Sequence, residues 1–233
     1  MAKRGRKYRE AIEAYDKREA RNFEEAITLL KSFPKRGFDE SVELSFNLGI
    51  DGRQADQTLR GTVMLPHGTG KEVRVVVVTQ GDLETAAAEA GADHVGGADI
   101  IEKIQGGWLD FDLVIASPDM MGQVGKLGRI LGPRGLMPNP KSGTVTREIG
   151  QAVTQAKAGR VEFRADSKSG NSAQAPIGKL SFENQALIEN ARAFSDAIVR
   201  NRPASTKGQY IRKLIMSSTM GPGVRIDPSA LAA

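Results

Sequence analysis

The 233-residue sequence contains no cysteine. That absence removes disulfides, thiolate metal sites and cysteine nucleophiles, and it fits a chain that works in a reducing compartment, with the cytoplasm as the expected location. Aromatic residues make up only 5% of the chain, and no strand-like segment carries a pair of them, so recognition of single-stranded RNA by base stacking is weakly supported. No segment approaches the roughly eighteen consecutive apolar residues that a membrane span needs. The opening Met1-Ala-Lys-Arg-Gly-Arg-Lys7 has no apolar core behind it, so neither secretion nor membrane insertion is expected. His67 and His94 stand far apart and away from any cluster of carboxylates, and no metal is assigned.

The most informative scarcity is local. Overall, 33 Lys and Arg stand against 28 Asp and Glu, a net charge of +5, and acidic residues are missing from three stretches. Before Glu10 lie Lys3, Arg4, Arg6, Lys7 and Arg9; between Asp119 and Glu148 lie Lys126, Arg129, Arg134, Lys141 and Arg147; between Asp196 and Asp227 lie Arg200, Arg202, Lys207, Arg212, Lys213 and Arg225. One such run is an ordinary solvated surface, but three separate runs point to a polyanionic partner. Phosphate contacts would make affinity fall with salt by about 0.7 to 0.9 log units each. With few aromatics, readout of the shape and backbone of folded RNA fits better than base stacking.

What is present is enough apolar residue, 39%, to build one or two packed cores. Tyr8, Ala11, Ile12 and Tyr15 recur at helical spacing, and Asn22 with Glu25 forms a capping-box signature before Ala26, Leu29, Leu30 and Phe33. From Ser41 the period becomes two, with Val42, Leu44, Phe46 and Leu48 on one face, and Leu59 to Leu65 repeats the pattern. After Gly68 to Gly70, Val73 to Val78 is nearly continuous Val, as expected of a strand covered on both faces in a parallel sheet. Asp82 and Asp99 are placed to cap helices, Phe111 to Ala116 reads as a strand, and Ser117-Pro118 reads as an N-cap and first helical position.

A helix from about Thr146 to Lys157 is stopped by Gly159, and the half-exposed strand pattern returns at Val161 and Phe163. Asp166 to Gly170 is a turn, Ser181 is placed to cap a helix reaching about Arg200, and Tyr210 to Ser217 forms a final long strand. The fold class is therefore α/β with two domains. Residues 1–67 and 158–233 form a discontinuous two-layer α/β domain with a largely antiparallel sheet, and residues 68–157 form an inserted Rossmann-like three-layer α/β domain. Gly68, Gly70 and Gly159 stand at the two crossings and can absorb the dihedral changes of a hinge.

Tests for an enzyme fail. Gly125-Lys126 resembles part of a phosphate-binding loop, but Leu127 replaces the needed Ser or Thr and Met120 stands where the first Gly belongs. The strand ending at Thr79 is followed by Gln80-Gly81-Asp82 rather than a dinucleotide fingerprint. Asp110 and Asp112 flank Phe111 at a strand start, where solvated or capping roles are commoner than acid-base catalysis. No cofactor is expected, and a small-molecule or nucleotide-binding enzyme built on the inserted domain is the alternative.

Six peptides carry a specific likeness: Phe38-Asp-Glu-Ser-Val-Glu43, Leu48-Gly-Ile-Asp51, Gly61-Thr-Val63 with Leu65-Pro-His-Gly68, Gly128-Arg-Ile-Leu-Gly-Pro-Arg-Gly135, Met137-Pro-Asn-Pro-Lys141 and Thr219-Met-Gly-Pro222. In this order they resemble the bacterial ribosomal protein L-one family. The resemblance implies a non-enzymatic, rRNA-binding constituent of the large ribosomal subunit, located on its mobile stalk. It also implies help in releasing deacylated tRNA from the exit site, repression of its own operon mRNA, and a monomer when free. Carried over, the RNA contacts are Phe38, Arg164, Asp166, Lys168, Thr219, Met220 and Gly221, with Lys3, Arg4 and Lys7 on phosphates. In this reading Gly221 permits close approach of the backbone to ribose, and the Thr219 hydroxyl is available to a 2′-hydroxyl. Lys126, Arg129, Arg134 and Lys141, on the Gly- and Pro-rich loop from Gly128 to Lys141 and just before it, contact RNA, line the interdomain cleft, or both. Ser217-Ser218 before Thr219, Gly223 after Pro222 and the longer Ser169-Gly-Asn-Ser172 turn depart from the family pattern.

Overall fold

The computed structural model describes residues 5–51, 54–166 and 171–231. Lys3, Arg4 and Lys168, together with most of the turn expected at 166–170, lie outside the described residues. The chain divides into two compact units, Met1–Gly70 with Val161–Ala233, and Lys71–Arg160.

Two helices open the chain, α1 (Arg6–Glu13) and α2 (Phe23–Ser32). The second starts where the sequence reading places it: Asn22 Oδ1 accepts from Glu25 N at 2.8 Å while Glu25 Oε2 accepts from Asn22 N at 3.3 Å, so two otherwise orphan donors are satisfied reciprocally. Strand β1 (Ser41–Leu48) buries Val42, Leu44, Phe46 and Leu48, and β2 (Arg60–Met64) follows.

In the second unit, β3 (Val75–Val78) leads through α3 (Asp82–Glu89) to β4 (His94–Gly96), then through α4 (Ala98–Gln105) to β5 (Leu113–Ala116). The three strands are parallel in the order β4-β3-β5. Helices α5 (Met121–Val124), α6 (Gly128–Arg134) and α7 (Ile149–Lys157) complete the unit. Val76 and Val78 pack toward residues of α4, α5 and α6, whereas Val75 and Val77 pack toward α3 and α7. Three layers follow, and both faces of the valine strand are dry.

Several local expectations are corrected. Gly81, not Asp82, precedes α3, and Asp82 is its first residue without capping through its side chain. Gly97 precedes α4, and Asp99 instead turns its carboxylate back to accept from Gly97 N at 2.9 Å. Ser117 does hold the N-cap position and Pro118 the first helical one, at a 3-10 turn, Pro118–Met120, that runs into α5, but the Ser117 hydroxyl makes no capping hydrogen bond. Gly128 to Arg134, expected as loop, is helical because Val124, Leu127 and Leu131 recur at three- and four-residue spacing and bury one stripe. Glycines and Pro133 mask that period in the sequence.

The chain returns as β6 (Arg160–Arg164), paired with β2, then β7 (Ser172–Lys179), α8 (Asn184–Arg200), β8 (Ile211–Ser218) and β9 (Val224–Ile226). Strands β7-β1-β8-β9 form an antiparallel sheet. β8 is the final long strand, as expected, and the three-residue β9 that follows it is too short to show a period. Ser181 does not cap α8: Glu183 holds that position, and the Ser181 hydroxyl donates to Asp39 Oδ2 at 2.7 Å. One face of the sheet meets α2 and α8, where Phe194 stacks edge-on against Phe46 at 5.4 Å and near Phe163 at 5.5 Å.

Asn190, fully buried on α8, accepts from His67 N at 3.0 Å and donates to Gly68 O at 2.9 Å and Ile177 O at 2.8 Å. Asn190→Ala leaves these backbone groups without partners in a dry site and should cost about 2–4 kcal/mol in urea unfolding. In the second unit, the Val75 N–H holds Asp93 below the ordinary carboxylate range, helped by Lys157, and Lys71 does the same for Asp112, helped by Arg74. A lowered folded pKa contributes stability that is full above the unfolded value of about 4 and is lost as pH falls through the folded value. Asp93→Asn with Asp112→Asn should therefore flatten the fall in melting temperature between about pH 5 and pH 2.

Candidate RNA interface

Strand β8 ends at Ser218 and β9 begins at Val224, so Thr219 to Gly223 link two antiparallel strands. This turn is fastened to the start of β1. Thr219 N donates to Ser41 O at 3.0 Å, Ser41 N donates to Thr219 Oγ1 at 3.0 Å, and the Thr219 hydroxyl donates back to Ser41 O at 3.3 Å. The hydroxyl expected to be open to a 2′-hydroxyl is thus engaged inside the protein, which leaves it one lone pair for a ligand.

Below the turn lies Glu40, only 4% exposed. Its Oε2 accepts from Ser218 Oγ at 2.9 Å and from Met220 N at 2.8 Å. Arg36 Nε stands 4.0 Å from Oε1, and an Arg36 N–H donates to Met220 O at 3.4 Å. The polar groups of the turn are thereby drawn inward, and the apolar side chains are left outside. Met220 is 52% exposed and Phe38 55%, a degree of exposure uncommon for large apolar side chains in this chain.

Gly221 has a local reason as well. A Cβ there would sit 2.4 Å from Ser218 Oγ, so the hydroxyl that ties Ser218 to Glu40 leaves no room for a side chain.

Of the predicted contacts, Lys7, Phe38, Thr219, Met220 and Gly221 come together. Lys7 Nζ donates to Lys35 O at 2.6 Å, and Lys7, Phe38 and Gly221 line one cavity of about 390 Å³. Arg164 and Asp166 lie elsewhere. Asp166 N donates to Ser172 O at 2.8 Å, and Ser172 pairs with Asn47 near the far end of β1, whereas Thr219 sits beside Ser41. Six residues of extended chain separate the two places by roughly 20 Å. Asp166 therefore lies at the end of the four-stranded sheet opposite to Thr219, and Arg164 precedes it on β6, in the two-stranded sheet with β2.

On the second unit, Lys126, Arg129, Arg134 and Lys141 are all exposed, on helix α6 and the short 3-10 turns beside it. Among the described residues none of the four forms an ion pair. Gly68, Gly70 and Gly159 have φ of 65°, 69° and 105°, a region that L side chains avoid.

Glu40, Ser41 and Arg36 were not among the sequence-derived contacts. For Glu40 a signal existed: it shares parity with Val42, Leu44 and Phe46, so the alternation of β1 points it inward. Among the described residues no cluster of His, Asp and Glu could hold a metal ion.

A model of the ribosomal protein L1p/L10e family matches residues 30–222. The chain belongs to the ribosomal protein L1p/L10e family. Relatives named large ribosomal subunit protein uL1, from Bifidobacterium longum subsp. infantis and two further strains of Bifidobacterium longum, are each 55% identical over 232 residues, covering 100% of this chain and of each relative. Membership of the L1p/L10e family makes the chain a ribosomal protein and not an enzyme, and the matched segment contains the whole constellation from Phe38 to Gly221.

Gly221→Ala should cost about 1–3 kcal/mol because Ser218 must move. The cost should shrink in a Ser218→Ala background, where the crowding atom is gone. Denaturant unfolding of the double-mutant cycle measures both.

Proposed function

We propose that this ribosomal protein of the large subunit, a cytoplasmic component of the ribosome, anchors on the folded rRNA of the mobile stalk through the surface built by Phe38, Ser41 and the Thr219–Gly221 turn. The observation that carries this reading is the inverted packing of the turn: its polar groups are fastened to Glu40 and Ser41, while Met220 and Phe38 face outward. Rigid apolar side chains pack on ribose and base faces without losing much freedom on binding. The cation of Lys7 adds attraction to phosphates. Asp166, at the other end of the four-stranded sheet, and Arg164, on β6, supply a second contact to the same RNA.

By this reading the second unit, joined at the flexible positions Gly68, Gly70 and Gly159, moves with the stalk and assists release of deacylated tRNA from the exit site. Its exposed cations add secondary phosphate contacts. An mRNA structure similar to the stalk would compete for the same surface, which is how the protein would repress translation of its own operon.

Met220→Ala and Phe38→Ala should each weaken binding of a stalk rRNA fragment by about 1–3 kcal/mol without lowering the melting temperature. Unchanged titrations would remove the turn from the interface. Replacing Lys126, Arg129, Arg134 and Lys141 together by Gln should reduce the slope of log affinity against log salt by about 0.7 to 0.9 for every phosphate that the variant no longer neutralises.

A further inference from the structure

The cavity of about 390 Å³ beside the Thr219–Gly221 turn has a composition that a simple surface cleft does not require. Part of its wall is apolar, with Ala11 from α1, Leu30 from α2, Phe33, Leu180 and Phe38, and polar side chains line the rest, among them Lys31, Arg36 and the hydrogen-bonded pair Asp39 and Ser181. Lys7 and Lys35 line it too and are exposed to solvent. Within it lies the buried carboxylate of Glu40. Oε2 is engaged by Ser218 and Met220, while among the described residues Oε1 accepts no hydrogen bond and stands 4.0 Å from Arg36 Nε. A carboxylate oxygen with unused acceptor capacity at the lining of a cavity can take a donor from outside.

We propose that this cavity receives one unstacked guanine of the bound RNA. The inference rests on the RNA-binding reading of the neighbouring turn and adds a base-specific contact to it. A base is flat and apolar on its faces, which suits walls of Leu30, Phe33 and Leu180, and its edge carries the polar groups. Guanine alone presents two adjacent donors, N1–H and the N2 amino group, that can converge on the one free oxygen, Oε1. Adenine and cytosine place a ring acceptor beside their amino donor, and uracil flanks its N3–H with two carbonyls, all of which repel Glu40. The cations at Lys7 and Lys35 meet the phosphates on either side of the extruded nucleotide. Unstacking is cheapest in a bulge or loop, so the guanine belongs to an irregular part of the RNA.

The test uses the full chain and a stalk rRNA fragment transcribed with 6-thioguanosine in place of guanosine, crosslinked by long-wave ultraviolet light and mapped by peptide mass spectrometry. The expected adduct lies within Phe33 to Glu40 or at Leu180-Ser181. Inosine at the crosslinked position, which removes only the N2 amino group, should weaken binding to the wild-type chain about ten-fold. The same inosine should cost a Glu40→Gln chain little further. Ala11→Phe, which fills the cavity from the side of α1, should weaken binding of the guanine RNA; the inosine comparison on the wild-type chain decides the matter if that variant does not fold. Tight RNA binding with adducts elsewhere and no inosine penalty overturns the guanine site and leaves the RNA-binding reading standing. No binding of the fragment at low salt overturns both.

Discussion

The terminal unit depends on how β1 is held. This strand comes from the first part of the chain, yet both of its neighbours, β7 and β8, come from the last part. It pairs along its length, on both edges, with strands that follow the intervening unit, and its inward side chains fill the core under α2 and α8. The Thr219–Gly221 turn is a by-product of that pairing. Thr219 continues the β8 register by one more residue and meets Ser41, and the carboxylate one position earlier, at Glu40, fastens the next peptide. A surface so constructed is rigid because it is the edge of a core rather than a free loop, and rigid surfaces lose little entropy when they bind.

Charge is distributed in keeping with that division of labour. The terminal unit uses its carboxylates locally: Glu40 under the turn, Asp39 on Ser181, Glu162 on Arg60, Glu189 on His67. Around the Thr219–Gly221 turn it exposes the apolar side chains of Phe38 and Met220. The second unit pairs its acids at one side of the parallel sheet, Asp93 with Lys157 and Asp112 with Lys71 and Arg74. The helical stretch around α6 is left with cations and no acids. On the proposed reading, one unit would supply a defined fit and the other diffuse attraction, two ways of meeting a polyanion that respond differently to salt.

The α/β class was legible from period alone. The four-valine run of β3 and the alternation of β1 needed no tertiary information, because their burial demands conflict with any other secondary structure. The capping box at Asn22 was equally plain. Reading failed where the determinant was either very short or concealed. Strands β4 and β9 span three residues each and form because a neighbour offers hydrogen bonds, which no local pattern announces. Helix α6 was hidden by its glycines and Pro133, residues that usually break helices. Among the candidate residues, the peptides that mark the family pointed to Phe38 and the Thr219–Gly221 turn, which the fold brings close together. The partner that organises them, Glu40, was overlooked because a carboxylate before a strand ordinarily faces water.

The pairing of β1 also shapes how the chain comes into being. In register, Asn47 lies opposite Ser172, a separation of 125 residues (172 − 47). During synthesis at about 5–20 residues per second, β1 leaves the ribosome many seconds before any strand that can cover it. The unit from Lys71 to Arg160 has its own core and emerges whole in that interval. A nascent strand with an apolar face and open hydrogen bonds therefore waits while the rest of the chain is made, and the period of greatest exposure to aggregation or chaperone capture falls in the middle of translation.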